Sequence, residues 1–434
     1  MEGGTEVTMI ALNRFYFLIT ALAIACLYGI AANIKLQDFA DDLIFSHTLD
    51  NTSLYSYLIS SYSTWSGRVT INALMVGTIN HHNVWKIGIP VSVMILCLSV
   101  TRICVNRIDT KIILLAFFAY LALPKEILQN GSWWVTGFYN YLLPVSLMLY
   151  SSSVYFLPNK VGMVEKVLSV LALSLACFSE QASMIIIACS LMGLIFCKEI
   201  RSVYSYIYLF VALFFSGILF TAPGNYHRLE EETWRWMPGF DSESFLGKLI
   251  YGYDRIHEAI VMPGSFIFCA LCVLCLILIL RSNQMTKIGV LFSFILSLHI
   301  FMMTLIITGS FHPNESFYNP EYINPHRWID ISRYFSYSVT GLVIISICYA
   351  LTVASLKDRE FLKPLVMIVL GFASIAMVGL SPTVYASGMR VLYVWAVMIM
   401  CASIFIYCKL FGNDIVTTKN ITALMAVAYI LSLS

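Results

Sequence analysis

Two adjacent carboxylates, Asp41 and Asp42, follow the first long apolar run of the chain by a few residues. A carboxylate beside lipid is costly to keep ionised unless water or a cation stabilises it, so the pair is a candidate functional site. Such a carboxylate could act as a general base that takes a proton from a substrate hydroxyl. Adjacent side chains on a helix point about 100° apart, so we expect one of the two to face a substrate. The alternative is a solvated helix N-terminus.

Four arginines lie at the ends of apolar runs on the same predicted side of the chain. They are Arg68, Arg228, Arg333 and Arg390. Arg68 ends a Trp-Ser-Gly-Arg sequence, and Arg228 follows a Pro-Gly-Asn turn. A guanidinium offers a planar fork of donors that suits phosphate. Together the four predict a cage for a lipid-linked phosphate. The alternative for each is a side chain that reaches a lipid headgroup.

Aromatic and amide side chains accompany these charges. The candidates for contact with a sugar or an acceptor are Trp65, Trp133, Trp134, Asn140, Tyr141, Glu180 and Asn225. Aromatic rings could stack on a sugar, although Trp and Tyr are also common at membrane interfaces without any ligand. Glu180 lies in a short turn between two apolar runs, where a carboxylate is either exposed or paired.

These residues are embedded in a strongly apolar chain. Of the 434 residues 59% are hydrophobic and 12% are charged, whereas a soluble domain carries about 25% charged residues. The mean hydropathy is +0.81, so lipid must cover much of the surface. The formal net charge is only +2, so the chain lacks the excess of basic residues that is typical of nucleic-acid-binding proteins. We therefore predict an all-α, polytopic transmembrane bundle that forms one domain over residues 1–434.

Apolar runs long enough to cross a bilayer predict about thirteen membrane spans. They are 13–34, 86–104, 112–124, 141–157, 167–179, 183–197, 203–221, 263–280, 288–309, 336–356, 364–380, 389–407 and 420–434. One set of connecting loops is short, and together with the N-terminal segment it holds 15 of the 26 basic residues but only 8 of the 24 acidic ones. Because positive loops stay inside, we place these loops and the N-terminus in the cytoplasm.

The opposite side has three long loops, 35–85, 222–262 and 310–335, and shorter turns at 125–140 and 381–388. Together they hold most of the Trp, His and Asn residues. Apolar and polar residues alternate over 43–62, which predicts amphipathic helices that lie on the membrane plane. A transporter is expected to place polar residues at the bilayer midplane. The distribution in this chain favours chemistry at the outer membrane–water boundary.

The order of these motifs resembles that of the GT-C glycosyltransferases, a class of polytopic membrane enzymes. Within that class it is similar to phage-borne O-antigen glucosyltransferases that change serotype. The resemblance covers roughly residues 10–400, and it runs from the acidic pair through Trp-x-x-Gly-x-x-Asn-Tyr at Trp134 to Tyr141 and on to a late arginine. It implies a catalytic acid at Asp41 or Asp42 and donor-phosphate contacts at Arg68, Arg228 and Arg390. The acids are adjacent here and wider apart in some relatives, which leaves open which one is the base and whether a divalent metal is held.

The resemblance implies an inverting hexosyltransferase, with glucose as the expected sugar. The donor would be a polyprenyl-phosphate sugar, and the acceptor a lipid-linked O-antigen or another surface polysaccharide. Such an enzyme lies in the bacterial inner membrane, contacts membrane lipid, faces the periplasm and needs no cofactor. An O-antigen polymerase is the first alternative, which the early acidic pair disfavours. A flippase or transporter for a lipid-linked sugar is the second, and His299 is the clearest polar residue deep in a predicted span.

Overall fold

A computed structural model describes residue 21 and residues 23–282, 286–312 and 331–412. These residues form helices and no β-strand. The predicted span at 420–434 and most of the predicted loop at 310–335 lie outside the described residues, as do residues 13–20 and 22 of the predicted first span. The all-helical fold that the sequence predicts is therefore confirmed for the described part of the chain.

The chain divides into two compact units. Of the described residues, the first unit contains those up to Phe118 and Gln129–Arg228, and the second contains Ala119–Leu128 and Leu229–Gly412. The prediction of a single domain stays a prediction.

The first unit is built mainly from short helices around one long one. Its helices are α1 (Ala23–Asn33), α2 (Ala40–His47), α3 (Leu54–Thr64), α4 (Val69–Thr78), α5 (His82–Val105), α6 (Thr110–Leu121), α7 (Lys125–Gly131), α8 (Val135–Gly137), α9 (Leu143–Tyr155), α10 (Met163–Ala176), α11 (Glu180–Phe196), α12 (Val203–Phe220) and α13 (Pro223–Trp236). The last residues of α6, the first residues of α7 and the second half of α13 belong to the second unit. A π-helical turn, Phe138–Leu142, joins α8 to α9.

The second unit is built around a central helix. Its helices are α14 (Phe245–Val261), α15 (Phe266–Arg281), α16 (Lys287–Ile307), α17 (Ile331–Lys357), α18 (Leu362–Ala376) and α19 (Tyr393–Phe411). Almost all of α19 is buried, and α15 and α18 pack against it. Gly252 on α14 packs on the end of α18, where an added Cβ would lie 2.3 Å from the Ala376 carbonyl oxygen.

Six helical segments are long and apolar enough to cross a membrane. They are His82–Val105, Val203–Phe220, Lys287–Ile307, Tyr334–Lys357, Arg359–Leu380 and Gly388–Phe411. Two pairs of helices, α6 with α7 and α14 with α15, pass the same test but are sharply bent, so the described residues provide up to eight spans.

Several of the thirteen predicted spans are thus not confirmed as full crossings. The predicted spans at 141–157, 167–179 and 183–197 fall on helices of 13, 14 and 17 residues. A helix rises about 1.5 Å per residue, so these helices are shorter than a hydrocarbon core of about 30 Å.

The predicted amphipathic region at 43–62 does form two short helices, α2 and α3. Ser53 caps α3 by accepting a hydrogen bond from the Ser56 backbone N–H at 3.2 Å. Both helices expose apolar side chains, among them Ile44 and Tyr55. A bilayer surface would suit such faces.

Candidate functional site

A planar ion pair between Arg68 and Glu180 lies in the first unit. Arg68 precedes α4 and Glu180 begins α11, and the two are 112 residues apart in the chain. The Arg68 Nε lies 3.0 Å from both carboxylate oxygens, and Nη2 lies 2.8 Å from Oε2. The side chains keep 24% and 22% of their exposure. This fork geometry is the strongest way in which an arginine holds an oxyanion.

Asn140 completes the set of groups that hold the Arg68 guanidinium. Its Oδ1 accepts from Arg68 Nη1 at 2.9 Å, and its Nδ2 donates to the Thr136 carbonyl at 3.0 Å. Asn140 lies within the π-helical turn, which contains one more residue per turn than an α-helix. The amide thus fixes the arginine against the turn.

Two further charges act on this pair. Burial would raise the pKa of the Glu180 carboxyl, but Arg68 and then Arg228 lower it, and the net result is a pKa below its ordinary value. Burial would lower the pKa of Arg68, but Glu180, Tyr141 and Asp41 raise it more. The predicted residues therefore form one electrostatic cluster, in which Glu180 pairs with Arg68 and also feels the charge of Arg228.

The loop before Arg68 is interlocked with the start of α13. A Cβ on Gly67 would lie 2.2 Å from the Leu219 carbonyl oxygen, and one on Gly224 would lie 2.4 Å from the Trp65 nitrogen. Asn225 bridges the two segments, because its Oδ1 accepts from the Gly67 N–H at 3.1 Å and its Nδ2 donates to the Leu219 carbonyl at 2.7 Å. Asn225, predicted to bind sugar or acceptor, thus uses its amide to hold the loop that presents Arg68.

The two carboxylates of the acidic pair lie in different environments. Asp42 is fully buried, and its Oδ1 accepts from the Thr136 N–H at 3.0 Å and the Thr136 hydroxyl at 2.6 Å. Its Oδ2 accepts from the Gln37 N–H at 3.0 Å. Asp41 is half-buried and acts electrostatically on Arg68. Asp42 therefore holds its segment in place through hydrogen bonds. Asp41 is the carboxylate of the pair that acts electrostatically on Arg68.

Ala40, directly before the acidic pair, has a left-handed backbone with φ of 55°. This conformation costs about 1–2 kcal/mol for a residue that carries a Cβ. Strain of this kind tends to accumulate at functional sites. Here the strained backbone belongs to the residue directly before Asp41.

The predicted aromatic residues differ in accessibility. Trp65 ends α3 and is 36% exposed, and Trp133 and Tyr141 are half-buried. Trp134 is only 9% exposed and packs beside Gly137. Trp65 therefore offers more ring surface for stacking than Trp134 does.

Two of the predicted arginines, Arg333 and Arg390, belong to the second unit. Arg390 is half-buried in a 3₁₀ turn, Gly388–Leu392, directly before α19. Arg333 lies in the first turn of α17, and its side chain lies outside the described part of the structure.

A second polar centre, on α14, was missed by the sequence analysis. Asp254 accepts from the Tyr385 hydroxyl at 2.6 Å and also from the Tyr337 hydroxyl. Arg255 donates to the Gly388 carbonyl at 2.5 Å and pairs with Glu258 at 2.5 Å. Asp254, Arg255 and Glu258 are all buried. Arg255 and Glu258 follow Asp254 by one and four residues, a spacing that brings charged side chains close together on a helix. This spacing could have indicated the centre, but charged residues are usually predicted to be exposed.

Burial of the Tyr385 ring and the neighbouring Asp254 carboxylate raise the pKa of the Tyr385 hydroxyl. The hydroxyl is therefore a hydrogen-bond donor at any ordinary pH. His257 on the same helix contacts the Thr340 hydroxyl at 2.7 Å. The centre joins α14 to the start of α17 and to the segment before α19 by hydrogen bonds, which makes it a structural link within the second unit.

The first-unit cluster contains the groups that an acid–base and anion-binding site requires. It has a half-buried carboxylate, Asp41, and two arginines that both act electrostatically on a second carboxylate, Glu180. Among the described residues no three His, Cys, Asp or Glu side chains are grouped closely enough to hold a metal ion. Comparisons with protein-family models, with curated proteins and with solved structures give no match.

Proposed function

We propose that the protein is an inverting glycosyltransferase of the GT-C type that moves a sugar, with glucose expected, from a polyprenyl-phosphate donor. The acceptor in this proposal is O-antigen or another surface polysaccharide. The proposal includes the thirteen-span bundle in the bacterial inner membrane, with a cytoplasmic N-terminus and a periplasmic site. The observation that carries it is the Arg68–Glu180 ion pair, in which Arg228 acts electrostatically on Glu180 and Asp41 on Arg68.

The chemistry assigns a separate role to each charge. The acceptor hydroxyl attacks the anomeric carbon, and the bond from that carbon to the phosphate oxygen breaks. The hydroxyl proton goes to Asp41, whose half-buried carboxylate acts electrostatically on Arg68. The phosphate leaves as an anion, and a guanidinium stabilises the charge as it develops. One displacement from one face inverts the anomeric centre.

Asp42 and Asn225 have supporting roles in this proposal. Asp42 ties the segment that carries Asp41 to Thr136. Asn225 ties the Gly67–Arg68 loop to the end of α12. Groups that act on a reacting bond must be held within a fraction of an ångström, so such ties contribute to the rate without touching substrate.

The experiment is sugar transfer by the purified protein from polyprenyl-phosphate glucose to O-antigen, followed by linkage analysis. We expect Asp41→Asn to lower the rate by about 10²–10⁴-fold, the usual contribution of a general base. The matched control is Asp38→Asn, since Asp38 is an exposed carboxylate three residues earlier, and it should retain full activity. Full activity of Asp41→Asn would refute the assignment of the base. Failure of the wild-type protein to transfer from any polyprenyl donor would refute the function.

A further inference from the structure

The carboxylate of Glu180 fills the donor fork of Arg68. Three contacts of 2.8–3.0 Å join the guanidinium edge to its two oxygens. Arginine binds a phosphate with this same edge and in the same two-oxygen arrangement. A phosphate that is to use the fork of Arg68 must therefore take the position of the Glu180 carboxylate.

The surroundings of Glu180 suit a transferable anion. Arg68 and Arg228 act on it with positive charge, and Asn140 holds the far side of the Arg68 guanidinium. Asp41 and the titratable Tyr141 hydroxyl also act electrostatically on Arg68. The pair is about one-fifth exposed, so a solute can reach it, yet it is shielded enough for its charges to interact strongly.

We propose that Glu180 is an internal substitute for the donor phosphate: its carboxylate holds the Arg68 fork until a lipid-linked phosphate displaces it. The inference rests on the proposed function in that it identifies the phosphate as that of the donor. It replaces the earlier expectation that Glu180 contacts the sugar or the acceptor.

This arrangement has a physical advantage. Two arginines near lipid would repel each other and would be costly to desolvate without a counter-charge. The carboxylate compensates the charge of both guanidinium groups and holds that of Arg68 in place, so the site is preorganised before the donor arrives. The exchange of one anion for another also discriminates against neutral headgroups, which cannot compensate the displaced charge.

The alternative is a permanent ion pair that only positions the loop. In that case the phosphate never uses the fork of Arg68, and removal of the Glu180 charge would not improve phosphate binding. The two interpretations predict opposite results for the same variant, so a binding experiment separates them.

The test measures binding of farnesyl phosphate to the full-length protein in detergent micelles, with farnesol and inorganic phosphate as comparison probes. We expect Glu180→Gln to bind farnesyl phosphate at least tenfold more tightly than wild type, because no carboxylate competes for the fork. We expect Arg68→Ala to bind it at least tenfold more weakly. The matched control is Glu165→Gln, which breaks the Arg102–Glu165 pair of the same unit and should leave the affinity within twofold.

Unchanged or weaker binding by Glu180→Gln would overturn the proposal. If that variant does not fold, Glu180→Asp decides, since it keeps the charge but is one methylene too short for the fork. Tighter binding by Glu180→Asp supports the proposal, and unchanged or weaker binding overturns it. Equal affinity for inorganic phosphate and farnesyl phosphate would overturn the assignment to a lipid-linked ligand. A wild-type protein that binds in the expected pattern but transfers no sugar would refute the proposed function and leave the phosphate site standing.

Discussion

The interlock between the Gly67 loop and the end of α12 is sensitive to a single methyl group. Gly67→Ala adds a Cβ that would lie 2.2 Å from the Leu219 carbonyl oxygen and 2.9 Å from the Ala222 Cβ. The nearest of these atoms belongs to the backbone, which cannot rotate out of the way as a long side chain can. The loop and the helix end must therefore separate.

The size of the effect follows from the distances. Ordinary Cβ contacts begin at 3.4 Å, so the contact with Leu219 must lengthen from 2.2 Å by about 1.2 Å. A shift of that size breaks the 3.1 Å hydrogen bond from the Gly67 N–H to Asn225. Overpacking costs about 1–3 kcal/mol, and a buried donor left without its acceptor costs about 1–3 kcal/mol. We expect Gly67→Ala to lower the free energy of unfolding by about 2–6 kcal/mol.

The assay is the unfolding of the purified protein by increasing sodium dodecyl sulfate in mixed micelles, followed by circular dichroism. Gly217→Ala on α12 is the matched control, because nothing lies within 4 Å of its added Cβ. Alanine is the better helix former by up to about 1 kcal/mol, so this control should be as stable as wild type or more so. The same chemical change is therefore expected to have opposite effects at two positions of one unit.

A double variant makes the test sharper. Gly224→Ala places its Cβ 2.4 Å from the Trp65 nitrogen, across the same contact as Gly67. One separation of the two segments relieves both clashes, so the double variant should cost clearly less than the two single variants together. A Gly67→Ala protein as stable as wild type, or strictly additive costs in the double variant, would refute the interlock.

Three further predictions concern the charged groups. Asp42→Asn replaces a carboxylate oxygen by an amide that faces a backbone N–H donor, so it should lower the free energy of unfolding by about 1–3 kcal/mol in the same assay. The pKa of Glu180 is lowered in the folded protein, so its pairing with Arg68 stabilises the fold above the ordinary carboxyl pKa of 4.5 and the stabilisation is lost as the pH falls below it. The stability difference between wild type and Glu180→Gln should accordingly shrink below pH 4.5; a difference that grows there would contradict this. Arg255→Met should cost about 3–5 kcal/mol because it leaves the Glu258 carboxylate buried, and the double variant with Glu258→Leu should recover part of that loss, as a double-mutant cycle can measure.

Long apolar runs made much of the helical structure predictable. The predicted spans at 203–221 and 288–309 correspond to Val203–Phe220 and Lys287–Ile307. In both, a hydroxyl side chain directly before the helix caps it, so local sequence and the helix boundary agree.

Span lengths were less predictable, because they depend on neighbours. The first two residues of the run at 141–157 belong to the π-helical turn, and the α-helix that follows has only 13 residues. The pattern of apolar residues does not predict the π-turn, because a π-turn and an α-turn accept the same residue types. The length of an uninterrupted helix is set there by tertiary packing.

The members of the candidate site were predictable, but their partners were not. The sequence singled out Arg68, Glu180 and Asn140, which the fold brings into direct contact across 112 and 72 residues of chain. It could not separate Asp41 from Asp42, because the distinction depends on Thr136, which lies 94 residues from Asp42. Contacts of such sequence separation leave no local periodicity.

The polar centre of α14 escaped prediction for a related reason. Its charged residues lie in a segment that composition assigns to a solvated loop. Their burial depends on hydroxyl donors such as Tyr385, which is 131 residues from Asp254. Charge alone does not distinguish a solvated helix face from a paired interior one.

The π-helical turn Phe138–Leu142 makes the site depend on the number of residues in the chain as well as on their identity. The turn holds one residue more than a regular helix requires. Removal of a single residue within the turn would let the segment close into a continuous α-helix without rotating Thr136, because the wide turn and the regular turn that replaces it carry the chain through nearly the same angle. Removal of a residue from the regular part of α9 would instead rotate Thr136 by about 100° relative to the residues that follow the deletion. Thr136 would then turn away from Asp42, and the segment that carries Asp41 would lose its attachment. The same deletion would therefore act as a change of length inside the turn and as a change of angle outside it.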